Sequence, residues 1–324
     1  KQPSTPEKEL EAAATNQNQE VLDTYKANFN ELFFDTPDYE ITDKKVGNDS
    51  SSNVYIAKNR KSGIQYAAKI KKNGLVTSKE QKKFTKKSIL LSGLVHPAIA
   101  KLQGINFHPF NDAMILTPTV LSEYFKNGSL RSIIDQSNDQ KFNAAKKIIC
   151  LIGISHAMKY SHKHKLVHCN LKLENVFLDD NLYPKIGDFC LSMGGVTFCT
   201  APEIFKDEEA ATNGSDVYSF AMIAFEVMTG IKPFSKSGKP LNGSQLEKKV
   251  MDGERPEFNN SVTDSMKELI CQCWSGDPEK RPSFDRIYKK LSSEFIASNV
   301  AVRTALGTGP VYDPRKSGNG VCEY

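Results

Sequence analysis

A chain of 324 residues can bury a large core, in one large or two coupled domains. Its net charge of +5 is too mild to argue for nucleic acid, and no apolar run reaches the ~18 residues of a membrane span. The seven cysteines are odd in number and widely spread, with neither a disulfide framework nor a zinc spacing. Free thiols imply a reducing, intracellular compartment, with the cytoplasm as the expected one. Residue 1 is Lys, which leaves open a signal or a further domain upstream.

Residues 1–36 form a polar extension. Within it, Lys8–Ala13 and Gln19–Phe34 have helical composition, and Val21, Tyr25, Phe29 and Leu32 recur at spacings of three and four. An amphipathic helix and a plain lead-in both fit. From Tyr39 the pattern turns to strands, over Tyr39–Val46, Asn53–Ala57 and Ile64–Ile70. Thr77–Leu94 reads as a helix with Phe84, Lys87, Leu91 and Leu94 on one face, and His96-Pro97 ends it. Seven lysines fall between Lys71 and Lys87. They make a solvated face, or a site for an acidic partner along 77–94.

Ala113–Leu121 is an apolar strand running into Ser122-Glu123-Tyr124-Phe125. Lys141–Lys163 is a long helix with Ile148, Leu151, Ile154 and Met158 along one side. A further helix opens at Ser215-Asp216, with Val217, Phe220, Ala224 and Met228 as its apolar stripe. Residues 299–324 are Gly-, Pro- and charge-containing, and read as a disordered tail.

The centre of the chain carries His168-Cys169-Asn170-Leu171-Lys172-Leu173-Glu174-Asn175. Asp188-Phe189-Cys190 follows thirteen residues after Asn175, and Ala201-Pro202-Glu203 thirteen after Asp188. This order and spacing resemble the catalytic loop, metal-binding turn and Ala-Pro-Glu of eukaryotic protein kinases. The Asp216-Val217-Tyr218-Ser219-Phe220 and Cys273-Trp274…Arg281-Pro282 segments resemble the tyrosine-kinase-like group, and Lys172 favours its Ser/Thr branch. The resemblance covers about residues 39–296. It implies an α+β, bilobal kinase-like fold over 37–298, with a β-rich lobe of about 37–121 and a helical lobe of about 126–298.

The resemblance also implies roles. ATP and Mg2+ are the implied ligands. Gly47, Val54, Ala67, Lys69, Ser122, Glu123, Phe125 and Phe177 would meet the nucleotide, while Asn175 and Asp188 would hold the metal. Lys172 would stabilise the transferring phosphate. Leu91, Leu102, His168 and Phe189 match the apolar column joining the lobes, with Asp216 at its base. Glu203 and Arg281 match a buried ion pair.

The departures fall in the chemistry. Asn170 stands where the family has the proton-accepting Asp, and an amide takes no proton at neutral pH. Cys169 replaces the Arg that organises a phosphorylated activation loop. Cys190 replaces a Gly. Lys87 stands in place of the helix Glu that pairs with the strand lysine, which predicts a helix rotated outward or a Lys69–Asp188 pair. Asp49 and Ser52 replace two loop glycines, and a carboxylate there would repel phosphate oxygens. Only ten residues separate Cys190 from Ala201. Phe177 is bulkier than the aliphatic residue usual at its position. A phosphoryl-transfer fold with a degraded centre follows: a pseudokinase acting by nucleotide and protein-partner binding in signalling. A weakly active Ser/Thr kinase and a purely structural module are the alternatives.

Overall fold

The structure is a computed structural model that describes residues 27–49, 52–72, 78–107, 118–136, 142–189, 196–207, 210–235 and 241–306. Its contacts divide the chain into two units, Lys1–Val95 with Lys101–Tyr124, and His96–Ala100 with Phe125–Tyr324.

The first unit is a five-stranded antiparallel sheet in the order β1-β2-β3-β5-β4. The strands are β1 (Tyr39–Asn48), β2 (Ser52–Asn59), β3 (Gln65–Lys71), β4 (Leu102–Asn106) and β5 (Thr119–Glu123). Side chains alternate between faces along each strand. On β3, Tyr66 and Ala68 therefore face one way, into a cluster of Phe34, Tyr39, Ala57 and Leu121. Ala67 and Lys69 face the other. The Ala113–Leu121 reading falls partly outside the described residues, and the strand runs on to Glu123.

The packing of this unit begins ahead of the expected boundary at residue 37. Leu32 and Phe34 are buried, Phe33 forms a parallel bridge with Ile105, and Asn106 Nδ2 donates to the Phe34 carbonyl at 2.6 Å. Residues Asn30–Leu32 form a 3-10 turn, so a helix over Gln19–Phe34 does not reach its expected end. The preceding half of that helix lies outside the described residues.

Helix α1 (Ser78–Ser92) completes the unit. It buries Thr85, Ser88 and Leu91, and Phe84 meets Phe107 edge-on at 5.6 Å. Lys87 is half-buried.

The second unit holds the two-stranded ribbon β6 (Val176–Leu178) and β7 (Pro184–Ile186), and the helices α2 (Leu130–Asp135), α3 (Ala144–Lys163), α4 (Pro202–Lys206), α5 (Asn213–Thr229), α6 (Gly243–Met251), α7 (Asp264–Cys273) and α8 (Phe284–Leu306). Helix α3 starts on Asn143, whose side chain accepts from the Lys146 N–H at 3.1 Å. Gly153 lets α3 approach β7, since a Cβ there would lie 2.5 Å from Pro184 Cγ.

The apolar stripe expected on α5 understates its burial. Every residue from Ser215 to Val227 is buried, as suits a central helix. A capping box from Thr212 and Ser215 starts it, and Gly230 at φ 70° ends it. Helix α8 continues to Leu306, which corrects the expectation of a disordered tail from residue 299. Residues 307–324 lie outside the description. Among the described residues, no helix is long and apolar enough to cross a membrane.

Candidate functional site

In the second unit the segment after α3 is organised by one carboxylate. Asp216, on the first turn of α5, is 1% exposed. Its Oδ2 accepts the His168 N–H and His162 Nε2, each at 2.8 Å, and its Oδ1 accepts the Cys169 N–H at 3.0 Å. These bonds hold Cys169 at φ 64°, a left-handed conformation costly for a residue with a Cβ. The Cys169 side chain, with Asn170, Thr197, Thr200 and Ser215, lines a cavity of about 80 Å³.

His168 then ties this turn to the next. Its Nδ1 accepts the Asn170 N–H at 3.2 Å, so the ring proton sits on Nε2 and is donated to the Gly187 carbonyl at 3.0 Å. Burial keeps the ring neutral, with a pKa below its ordinary value despite Asp216 nearby. The ring also packs on Phe189, with centroids 4.4 Å apart.

Asn170 is thus fixed through its backbone on both sides. Its carbonyl accepts from Asn175 Nδ2 at 2.8 Å. Asn175 is buried, and its own carbonyl accepts the Gly187 N–H at 2.9 Å. With Nδ2 donating to Asn170, Oδ1 is the acceptor end of the Asn175 amide. Asp188, half-buried, follows at φ 64°. Among the described residues no group of three or more His, Cys, Asp or Glu is placed to hold a metal ion. Mg2+ characteristically takes one or two protein oxygens and completes its shell with water and phosphate, so the donor set of Asn175 and Asp188 fits a nucleotide-borne Mg2+ and not a resident one.

Phe177 stands on β6 between these groups and the segment leading to α2. Its ring stacks on Phe125, with centroids 5.7 Å apart and planes 18° apart. A Cβ on Gly187 would lie 2.9 Å from the Phe177 ring, so this glycine makes room for it. Lys172 is half-buried and extended, and its carbonyl accepts the Asn175 N–H.

The sheet of the first unit brings its own candidates together. Gly47 pairs with Val54, Val54 with Lys69, and Ala67 with Ser122. Cross-strand partners share a face, so Gly47, Val54, Ala67, Lys69 and Ser122 form one patch. Glu123 is tied to Lys101, whose N–H donates to Glu123 Oε2 at 3.3 Å. Leu91 and Leu102 are both buried in this unit.

The expected alternatives for Lys69 named a helix shift or Asp188. The structure adds a contact that neither alternative named, from its ammonium to Asp49 Oδ2 at 2.8 Å. Asp49 also closes the β1–β2 turn. Its Oδ1 accepts the Ser52 N–H at 2.6 Å, its N–H donates to the Ser52 carbonyl at 3.0 Å, and its carbonyl accepts from Lys72 Nζ at 2.5 Å. The signal was present in the sequence as a misplaced pair of charges, a carboxylate in the loop and a lysine where the helix Glu belongs.

Two buried ion pairs support the second unit. Arg281 and Glu203 make the expected one, bidentate at 2.6 and 2.8 Å, with the Arg281 side chain fully buried and also donating to the Gly214 and Ser275 carbonyls. The other was not anticipated. Arg131 on α2 forks onto Glu226 of α5 and donates from Nε to Glu174 at 3.0 Å. Burial works against the Arg131 charge, but the two carboxylates outweigh it and hold the group protonated. Glu226 lies 95 residues from Arg131, beyond any local spacing rule.

The sequence is similar to known proteins. The family model described as "Protein tyrosine and serine/threonine kinase" matches residues 41–291. The chain belongs to the protein kinase family. A probable serine/threonine-protein kinase, roco7, of Dictyostelium discoideum is 29% identical over 83% of this chain and 11% of its own length. An RGS domain-containing serine/threonine-protein kinase A of the same organism is 31% identical over 77% of this chain and 22% of its own. The serine/threonine/tyrosine-protein kinase HT1 of Arabidopsis thaliana is 29% identical over 76% and 65%. The chain thus spans well under a third of these Dictyostelium relatives.

Proposed function

We propose that this domain is a pseudokinase of the tyrosine-kinase-like group, which acts by nucleotide and protein-partner binding in signalling. The observation that carries the reading is Asn170. Its backbone is held from both sides by His168 and Asn175, in the place the resemblance gives to the proton acceptor. An amide held there orients a hydroxyl but takes no proton. Losing a general base removes about 10²–10⁴-fold of rate.

The test is phosphoryl transfer from Mg2+-ATP to a generic protein substrate. Transfer at background level in the native domain and in Lys69→Ala supports the reading. Robust transfer that Lys69→Ala abolishes refutes it. The presence of Lys172, Asn175 and Asp188 favours a second reading, a weakly active Ser/Thr kinase. In that case Asn170→Asp raises a measurable native rate, and an unchanged near-background rate removes its support. The exposed Lys82 and Lys86 on α1 favour an acidic partner surface.

A further inference from the structure

Across the β1–β2 turn, Asp49 and Ser52 bond to one another. In the family this loop offers backbone amides to phosphate oxygens. Here the Asp49 N–H is given to the Ser52 carbonyl and the Ser52 N–H to Asp49 Oδ1. The same side chain turns its other oxygen onto Lys69 at 2.8 Å. The pair is largely withdrawn from water, at 16% exposure for the Lys69 side chain and 28% for Asp49. A carboxylate bonded to a strand lysine and to a loop amide makes the same kinds of contact a nucleotide phosphate would make.

We propose that Asp49 is a built-in phosphate surrogate, which makes this unit discriminate against nucleoside triphosphates in favour of phosphate-free adenine ligands. The reasoning is electrostatic. A triphosphate must displace a carboxylate from Lys69 and then sit beside that negative charge, which carries no compensating gain. An uncharged nucleoside needs neither step. The inference rests on the nucleotide-binding part of the function proposed above, and refines which ligand that site takes.

Asp49→Asn isolates the charge, because the amide oxygen still accepts the Ser52 N–H and keeps the turn closed. Adenosine and Mg2+-ATP are titrated against the native domain and the variant, read by melting temperature and calorimetry, with Asp49→Ser as a second variant. In the native domain ATP is expected to bind no better than adenosine. In Asp49→Asn, ATP affinity is expected to rise by about tenfold or more while adenosine changes by less than about twofold. Unchanged or weaker ATP binding in both variants, with adenosine still bound, overturns the inference and leaves the nucleotide reading standing. If the native domain binds neither ligand and Asp49→Asn binds ATP, Asp49 still excludes the triphosphate, but the preference for adenosine and the nucleotide reading of the native domain both fall. Silence from both ligands in every variant overturns both.

Discussion

Asp216→Asn tests whether one buried carboxylate holds the central turn. Asp216 receives three donors on two oxygens, His168 N–H and His162 on Oδ2 and Cys169 N–H on Oδ1. Asparagine has one oxygen. Its better orientation keeps that oxygen at the doubly used position and turns an NH2 toward the Cys169 N–H. One charge-assisted bond is lost, worth about 1.5–3 kcal/mol, and a buried donor is left facing another donor, at about 1–3 kcal/mol. Cys169 sits at φ 64°, and the bond to Asp216 is part of what holds it there. The total is on the order of 3 kcal/mol, or about 6–12 °C in melting temperature. Urea denaturation followed by Trp274 fluorescence reads this directly, since Trp274 is the sole tryptophan and is buried in the same unit. Glu247→Gln, an exposed carboxylate, serves as the control at within ~0.5 kcal/mol. A loss below about 1 kcal/mol for Asp216→Asn would refute the claim that Asp216 organises the turn.

Other perturbations follow from the same contacts. Glu203→Leu strands the fully buried Arg281 guanidinium and should destabilise the domain by about 3–5 kcal/mol, seen as a lower urea midpoint. Gly187→Ala places a methyl 2.9 Å from the Phe177 ring and should cost about 1–3 kcal/mol in the same titration. Adding Phe177→Leu should recover most of that loss, and no recovery would mean the contact is not the cause. Burial first, then His156 and Lys185, lowers the His96 pKa to about 4, against about 6.5 for an unfolded histidine. The unfolded chain therefore binds the extra proton between those values, so this stability is complete above about pH 6.5 and is lost as pH falls toward 4. Discounted for partial exposure, the loss at about pH 5 is on the order of 1 kcal/mol, and His96→Asn should flatten the melting profile over that range.

The parts of the fold that sequence revealed are those encoded locally. Alternation marked β1 to β3, and a three-four spacing marked α1 and α3. Gly47, Val54, Ala67, Lys69 and Ser122 were named through the kinase resemblance, and the register of the sheet is what puts them on one face. What stayed hidden depends on partners far apart in the chain. The Arg131–Glu226 pair joins α2 to α5 across 95 residues. Docking of Leu32 and Phe34 needs the edge of β4, contributed by Ile105 and Asn106, which no window around residue 32 contains. Helix α8 outlasts its expected end because Gly and Pro punctuation begins only after Leu306, while the polar composition before it is still compatible with a helix. The Asp49 contact of Lys69 was not anticipated for a different reason. The family pattern directs attention to the helix, where Lys87 stands in place of the Glu, whereas this carboxylate comes from the β1–β2 turn.

That relocation bears on how a kinase fold tolerates so many changed chemical residues. The turn that resembles the kinase catalytic loop is held largely by backbone atoms. Asn170 is fixed by its own N–H and C=O, Cys169 by its N–H, and His168 by its N–H and ring. Exchanging an Asp side chain for Asn at 170 leaves every one of those bonds in place. It removes a proton acceptor at almost no cost in stability. The same separation holds at the sheet, where Asp49 both closes its turn and neutralises Lys69. Without that carboxylate the half-buried Lys69 would lose this neutralising charge. On the inference above, the carboxylate that would disfavour phosphate is also the one that neutralises Lys69. On the inference above, stability and ligand preference would be coupled at Asp49, whereas the bonds that hold Asn170 are made by its backbone. Asp49→Asn should therefore be felt in the stability of the first unit as well as in its ligand preference, and Asn170→Asp in activity alone.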